Sequence, residues 1–530
     1  MIFGSPHTQK KPSGVSMGLV AAAMRAGNFV QARMMLQDRL AQDPNDADAL
    51  EKLAEIAAAQ RATEEATMLL QRAVAIDPSA QRRLALIAHL QRNSPGMALA
   101  EIEQLPQAFR DDYEIRGVEA SIAGMLGMHD RQIRLFQSML KEKSGNAGVW
   151  VSLGNALKTV GRTDEAVKAL QRALRIEPSY GGAWWTLANF KSFKFSPRDI
   201  KEMVGALRTR PPEDQALQIH FALGKAYEDR SEYEQSFRHY AIGNAIRART
   251  LDPGSTLMTD YVDSSIATFT PELFARNEGA GHPEEGPIFV VGLHRSGSTL
   301  LEQIMASHPL VEGTTEIPVM KSIRDRITRK SGKSAAEAIN ELDHAQIRSI
   351  GQEYIDRTRA FRLTDRPLFV DKLPGNWANV ALIRIALPHA RIVDARRHPM
   401  ACGFSNFKQN YAAGAGFSYN LGWIGTFYRD YWRFMTHFEA IQPGAVCRML
   451  NERLIDDPEG EVRRMLDHLK LPFDPACLEF HKNERAVRTP SAEQVRRPIN
   501  REGVDYWRHY EPWLGELKQA LGPALQGWAD

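Results

Sequence analysis

Cysteine is scarce: the 530 residues hold three. Cys402, Cys447 and Cys477 lie 45 and 30 residues apart, so no pair has the spacing of a zinc site or a dithiol redox motif. An odd count also suits a reducing compartment better than a disulfide framework. Long apolar runs are missing as well, and none approaches the roughly 20 residues that span a bilayer. The stretch that most imitates a signal peptide, Val15–Met24 behind Lys10 and Lys11, is broken by Ser16 and Gly18. The expectation is a cytoplasmic protein without a membrane span. Glycine (38) and proline (28) are too few for collagen or broad disorder. Charge of one sign is also in short supply. The 67 lysines and arginines exceed the 64 acids by only three, which excludes a general polyanion surface and argues against a nucleic-acid partner.

What is present, first, is a period. From Trp150 the residues Leu153-Gly154, Leu157, Ala166, Leu170, Ala173 and Pro178 fall at offsets 3, 4, 7, 16, 20, 23 and 28, the tetratricopeptide pattern. Leu153 and Leu157 stripe one helix, while Ala166, Leu170 and Ala173 stripe a second. The small Gly154 and Ala166 let the pair approach, and Pro178 closes it. Leu50, Leu53-Ala54, Ala57, Ala66, Leu70, Ala73 and Pro78 repeat the phase, as do Leu223-Gly224, Tyr227, Ser236 and Tyr240. Ser79 to Lys143 is less regular, though its length suits two units. The reading is an N-terminal tail over 1–12, then an all-α solenoid of about six or seven repeats over 13–250. Such a solenoid either offers a groove to a peptide or protein partner or packs as a scaffold.

The period stops over 251–286, which reads as a linker, with its most exposed part from Asn277 to Gly286. Beyond it, short apolar runs alternate with helical stretches. Pro287–Val291, Pro367–Val370 and Ala390–Val393 look like buried parallel strands, with Ala445–Met449 a weaker fourth. Residues 287–530 therefore read as an α/β P-loop-like domain with a central parallel sheet, which binds ligands beyond the carboxyl ends of its strands.

The first strand runs into Gly292-Leu293-His294-Arg295-Ser296-Gly297-Ser298-Thr299 and then a helix. This is the skeleton of a phosphate cradle, in which the glycines free the backbone and the helix dipole favours an anion. Ser298 stands where a nucleotide triphosphatase has lysine, which disfavours a P-loop kinase or ATPase. Arg295 sits inside the loop instead, with a guanidinium able to fork two donors onto an anion.

These residues resemble the nucleotide-dependent sulfotransferases, in particular bacterial chains with N-terminal tetratricopeptide repeats and, more distantly, the protein-tyrosine sulfotransferases. The resemblance covers roughly 285–515, besides the repeats. It implies 3′-phosphoadenosine-5′-phosphosulfate as sulfuryl donor, no metal, and an acceptor hydroxyl on a peptide tyrosine, a glycan or another compound. Arg295, Ser296, Gly297, Ser298 and Thr299 match the family's 5′-phosphosulfate loop. Arg397 and Ser405, a strand-end arginine and a serine eight residues later, match its grip on the 3′-phosphate. Glu316, twenty-one residues after Arg295, matches the catalytic base, with Glu312 and His308 as rivals. Lys372 matches the lysine that stabilises the transferring sulfuryl. Ser491 matches a serine reaching that group, and Arg497 a basic position beside it. Two positions depart from the family: Tyr506 replaces a donor-contacting basic residue before Trp507, and Asn451 replaces a tyrosine against the adenine. Arg501 and Arg508 are the neighbours that could compensate. The aromatics Trp423, Phe427, Tyr428, Tyr431 and Trp432 read as helix core. The alternative reading of the whole chain is a repeat-based interaction adaptor whose nucleotide-binding domain has degenerated.

Overall fold

The computed structural model describes residues 16–60, 62–190, 192–411, 414–483, 485 and 494–529. They form two compact units, Met1–Ala183 and Trp184–Asp530.

The first unit is a stack of helix pairs. Phe29–Gln42, Ala47–Ala59, Thr63–Ile76 and Ala80–Asn93 follow one another, and Ala147–Thr159 and Thr163–Ile176 form the most regular pair. Two of the leading helices start on asparagine or aspartate caps: Asp46 accepts from the Ala49 N–H and Asn146 from the Val149 N–H. Within the best pair, a Cβ on Gly154 would lie 2.8 Å from the Leu170 Cγ, so glycine is what lets the two helices touch. The irregular stretch expected between Ser79 and Lys143 has a local cause. Its helix Pro95–Glu103 has only nine residues, and Pro95 occupies its first turn.

The second unit is built on five parallel strands: β1 (Pro287–Gly292), β2 (Val311–Gly313), β3 (Leu368–Lys372), β4 (Arg391–Arg396) and β5 (Val446–Leu450), in the order β2-β3-β1-β4-β5. Every residue of β1 and β3 is buried, which is why their apolar stretches, Ile288–Val291 and Leu368–Val370, run unbroken rather than alternating, with Asp371 and Lys372 ending β3. The register pairs Val290 with Lys372 and Gly292 with Ala395. It therefore brings the ends of β1, β3 and β4 to one edge of the sheet. The long helix Leu421–Ile441 buries Tyr428 and Tyr431, as expected of helix core. Among the described residues no helix is long and apolar enough to cross a membrane.

The unit division differs from the expected one. The helices Glu213–Glu228 and Tyr233–Ala248, which carry the repeat signature, belong to the second unit. Asn244 Nδ2 donates to the Phe407 carbonyl at 2.8 Å, Ser236 Oγ lies 2.9 Å from the Tyr510 hydroxyl, and Phe237 stacks between Phe407 and Trp513. The segment 251–286 is also integral to this unit. It carries the helices Pro253–Thr256, Thr259–Thr268 and Pro271–Arg276, which bury Val262, Leu273 and Phe274. Even the part expected to be most exposed is fastened: the His282 N–H donates to the Ala386 carbonyl at 2.8 Å, and Gly281 is buried against Ile385 and Pro388.

Candidate functional site

The loop after β1 takes its shape from three residues with positive φ. Gly292 has φ +137°, and a Cβ there would fall 2.3 Å from the Ala395 carbonyl oxygen. Gly297 has φ +99° and immediately precedes the helix Ser298–Ala306, whose positive end faces the loop. Between them Arg295 sits at φ +66°, a conformation that costs a residue with a Cβ roughly 1–2 kcal/mol. That turn brings its Nε within 3.1 Å of the Ser405 Oγ, 110 residues along the chain. Arg397 donates from Nη1 to the Arg295 carbonyl at 3.2 Å and from Nη2 to the Gly503 carbonyl. Burial pulls the Arg397 guanidinium below its ordinary range, with Arg295 adding repulsion. The Ser296 Oγ and Arg397 Nε are buried without a hydrogen-bond partner. Two orphaned polar atoms beside two cations fit an anion (a phosphate or sulfate group) better than they fit a closed core.

The neighbouring Arg396 has a different task. It is 1% exposed and pairs with Asp394 at 2.8 Å, while Tyr431 donates its hydroxyl to the same carboxylate. This buried pair fixes the end of β4, so that the next residue, Arg397, turns toward the loop. The Tyr428 hydroxyl reinforces the turn by donating to the Arg397 carbonyl at 2.8 Å.

At the end of β3, Lys372 is 2% exposed and donates to the Glu316 Oε1 at 2.6 Å, whereas the Glu316 side chain is half exposed. The Glu302 carboxylate, on the loop's own helix, stands 3.9 Å from the Lys372 ammonium and 2.7 Å from the Arg485 guanidinium. Burial raises the Glu302 carboxyl above its usual range although both cations oppose that shift. Asp371 is wholly buried, accepts the Tyr354 hydroxyl at 2.8 Å, and is pushed up to about 7 by desolvation. His294, in the loop, is lowered by burial and feels Glu316, Lys372 and Arg295. Its carbonyl is held by Asn406 Nδ2 at 2.8 Å.

The rival base Glu312 points away from this cluster. It accepts from the Leu363 and Thr364 N–H groups and from Arg362, and those bonds hold its carboxyl below the usual range despite burial. His308 donates its Nε2–H to the Pro472 carbonyl at 3.0 Å, again away from the loop.

A cavity of about 690 Å³ opens over the loop. Arg295, Gly297, Ser298, Thr299, Arg397, Ser405 and Arg497 line it; Ser296 lies just beneath, 3% exposed. Lys372 and Glu316 are not among its lining residues, and His294 is the loop residue that connects the two clusters electrostatically. Ser491 falls outside the described residues. Of the expected compensating residues, Arg501 pairs with Asp456, while Arg508 pairs with Asp505 and lies over Trp507; neither lines the cavity.

Several site residues escaped the sequence reading. Glu302 looks like any helix glutamate, and Arg485 belongs to no motif. Glu452 sits beside Asn451, where a departure from the family had been noted, and caps the Pro399–Phe407 helix by accepting the His398 N–H at 3.0 Å. Lys408 and Glu228 carried no motif signal at all.

Residues 287–475 match the sulfotransferase family, and residues 18–81 and 147–190 match tetratricopeptide repeats. An uncharacterized protein of Aquifex aeolicus (strain VF5) is 32% identical over 384 residues, 71% of this chain. The chain spans about half the length of that curated relative, 50%. Among solved structures, the sulfotransferase domain from the Synechococcus PCC 7002 olefin synthase is 20% identical, over 43% of this chain and 89% of that one, with a TM-score of 0.32. YrrB, described as a tetratricopeptide-repeat protein with an unusual peptide-binding site, is 17% identical over 31% of this chain and 87% of its own, with a TM-score of 0.29.

Proposed function

Because the chain joins tetratricopeptide repeats to a sulfotransferase-family domain, we propose that it transfers a sulfuryl group from 3′-phosphoadenosine-5′-phosphosulfate to an acceptor hydroxyl. The observation that carries this reading is the meeting of Arg295 and Ser405 at 3.1 Å, with Arg397 bonded to the Arg295 carbonyl. Two motifs distant in sequence, each suited to one anionic end of such a donor, line a single cavity. Its volume lies within the roughly 300–1,000 Å³ usual for small-molecule sites.

In this reading the Arg295–Thr299 loop takes the 5′-phosphosulfate, Arg397 and Ser405 take the 3′-phosphate, and the exposed Arg497 adds charge at the cavity rim. Transfer is in line and loose, so positioning and positive charge supply most of the acceleration. The acceptor oxygen forms its bond to sulfur as the sulfur–oxygen bond to the 5′-phosphate breaks. The acceptor proton passes to Glu316, and the electron pair leaves with the 5′-phosphate. Lys372 faces the charge that develops on the sulfuryl and bridging oxygens, and its bond to Glu316 keeps base and cation in one cluster. Solvent exposure of Glu316 beside the buried Lys372 suits a base that must meet an incoming acceptor. The repeats present a protein or peptide partner.

The test is calorimetric binding of 3′-phosphoadenosine-5′-phosphate, followed by single-turnover transfer of labelled sulfate. Arg295→Ala and Arg397→Ala should each weaken binding by about a hundredfold, as expected for a lost charge-assisted pair to phosphate. Glu316→Gln should bind normally and lose turnover by roughly 10²–10⁴-fold, the usual scale of a general base. Normal binding in both arginine variants would sink the site assignment. The adaptor reading draws on Tyr506, which lines the cavity, and predicts binding without turnover in the wild-type protein.

A further inference from the structure

The cavity has a second wall, built from the repeats. Trp185, Lys194, Lys225, Glu228 and Asp229 line it opposite the loop residues, all within the same compact unit. Lys408 also lines it, one turn beyond Ser405 and at the end of the same helix, so the two side chains lie on one face. The Lys408 ammonium is held in two ways: the Glu228 carboxylate accepts from it at 2.8 Å, and the Tyr506 ring lies 4.7 Å beneath it. Glu228 is fixed in turn by the Tyr240 hydroxyl, which donates to its other oxygen at 2.9 Å. Behind this group, Lys225 and Lys194 both bond to Asp229. Six cations line the cavity (Lys194, Lys225, Arg295, Arg397, Lys408 and Arg497) against the three carboxylates Glu228, Asp229 and Glu502.

We infer that the last repeat takes part in nucleotide binding: Lys408, positioned by Glu228 of the repeat helix, binds the phosphate that sits at Ser405, with Lys225 as a supporting charge. This rests on the donor reading above. A purely structural ion pair would have no need of a cavity on one side. An ammonium held by one carboxylate and an aromatic face, one turn along the helix from the serine of an anion site and lining the same cavity, is placed to meet a dianion, which attracts it more strongly than a single carboxylate does. The repeats would then act on the small molecule as well as on a polypeptide.

Full-length protein is titrated with 3′-phosphoadenosine-5′-phosphate and, in parallel, with adenosine 5′-phosphate, which lacks the 3′-phosphate. Lys408→Met should weaken the first about tenfold and the second less than about twofold, because only the first carries the charge that Lys408 faces. Lys225→Met should weaken the first by a few-fold, on the order of a partly screened charge. Glu228→Gln separates binding from packing, since it removes the competitor and keeps the shape: affinity for the 3′-phosphorylated ligand should stay equal or rise. If Lys408→Met lowers the melting temperature, Lys408→Arg repeats the comparison with the charge retained and should bind as wild type. Unchanged affinity in Lys408→Met, or equal weakening of both ligands by Lys408→Met and Glu228→Gln, overturns the inference and leaves the donor reading standing. Failure of the wild-type protein to bind either nucleotide overturns the donor reading itself.

Discussion

Asp371 is the residue whose burial has the plainest thermodynamic consequence. It follows Val370 in the sheet interior, wholly buried, and desolvation lifts its carboxyl from 3.8 to about 7, with the Tyr354 hydroxyl and Lys372 opposing. A raised carboxyl favours the protonated folded state. The stability this confers is complete below the unfolded value and is lost as pH rises through about 7. Asp371→Asn keeps the shape and an acceptor for Tyr354 but cannot ionise. It should therefore gain on the wild type between roughly pH 4 and pH 7, by up to about 4 kcal/mol. Chemical denaturation at acid, intermediate and neutral pH reads this directly, and a gap that stays constant with pH would contradict it. At this scale legibility was uneven. Arg397 and Ser405 could be named from type and spacing because a strand-end arginine before a helix start is a local pattern. Arg396, its neighbour, reads the same in sequence yet belongs to a buried pair with Asp394 and Tyr431, which only the fold brings together. Glu302 was invisible for the same reason: its partners Lys372 and Arg485 come from distant segments.

Helices and strands followed the same division between local and distant causes. The helix pairs were legible because a repeat states its packing rule many times. Gly224 is one such statement: a Cβ there would sit 2.6 Å from the Tyr240 ring, so the helices Glu213–Glu228 and Tyr233–Ala248 close only over glycine. Gly224→Ala should cost about 1–3 kcal/mol by overpacking. It should also displace the adjoining Lys225, the supporting charge in the cavity lining, and thus lower nucleotide affinity as well as the melting temperature. A destabilised variant with unaltered affinity would show that this helix does not shape the cavity. The four longer strands could be read as apolar runs, but β2 could not. Three residues, Val311–Gly313, are too few to show a period, and they become a strand only because β3 offers an edge. Residues 251–286 show the reverse failure. Their Gly, Pro and acidic composition reads as solvent-exposed chain, while apolar residues spread among them, Val262, Phe269, Leu273 and Phe274 included, are buried in the second unit.

For the molecule as a whole, the end of the repeat pattern and the edge of the folding unit are different places. A fragment starting at Trp184 should fold and melt in one cooperative transition. A fragment starting at 251 should not, having lost Asn244, Ser236 and Phe237 from against Phe407, Tyr510 and Trp513. Circular dichroism and calorimetry of the two fragments decide this, and a stable fragment from 251 would return the boundary to where the repeat pattern stops. The charge balance is also resolved at this scale. The near-neutral total of +3 conceals a cavity whose lining alone carries six cations against three acids.

The attachment of the final helix pair also bears on how such chains can be recombined in evolution or in the laboratory. A crossover after the last repeat would separate Asn244 from Phe407 and Glu228 from Lys408, so a new array joined there would meet an α/β domain that has lost those bonds. A crossover before Trp184 would exchange the first unit and leave those bonds whole. The final pair therefore travels with the α/β domain, and the helices ahead of it are the part that can be exchanged without breaking those bonds.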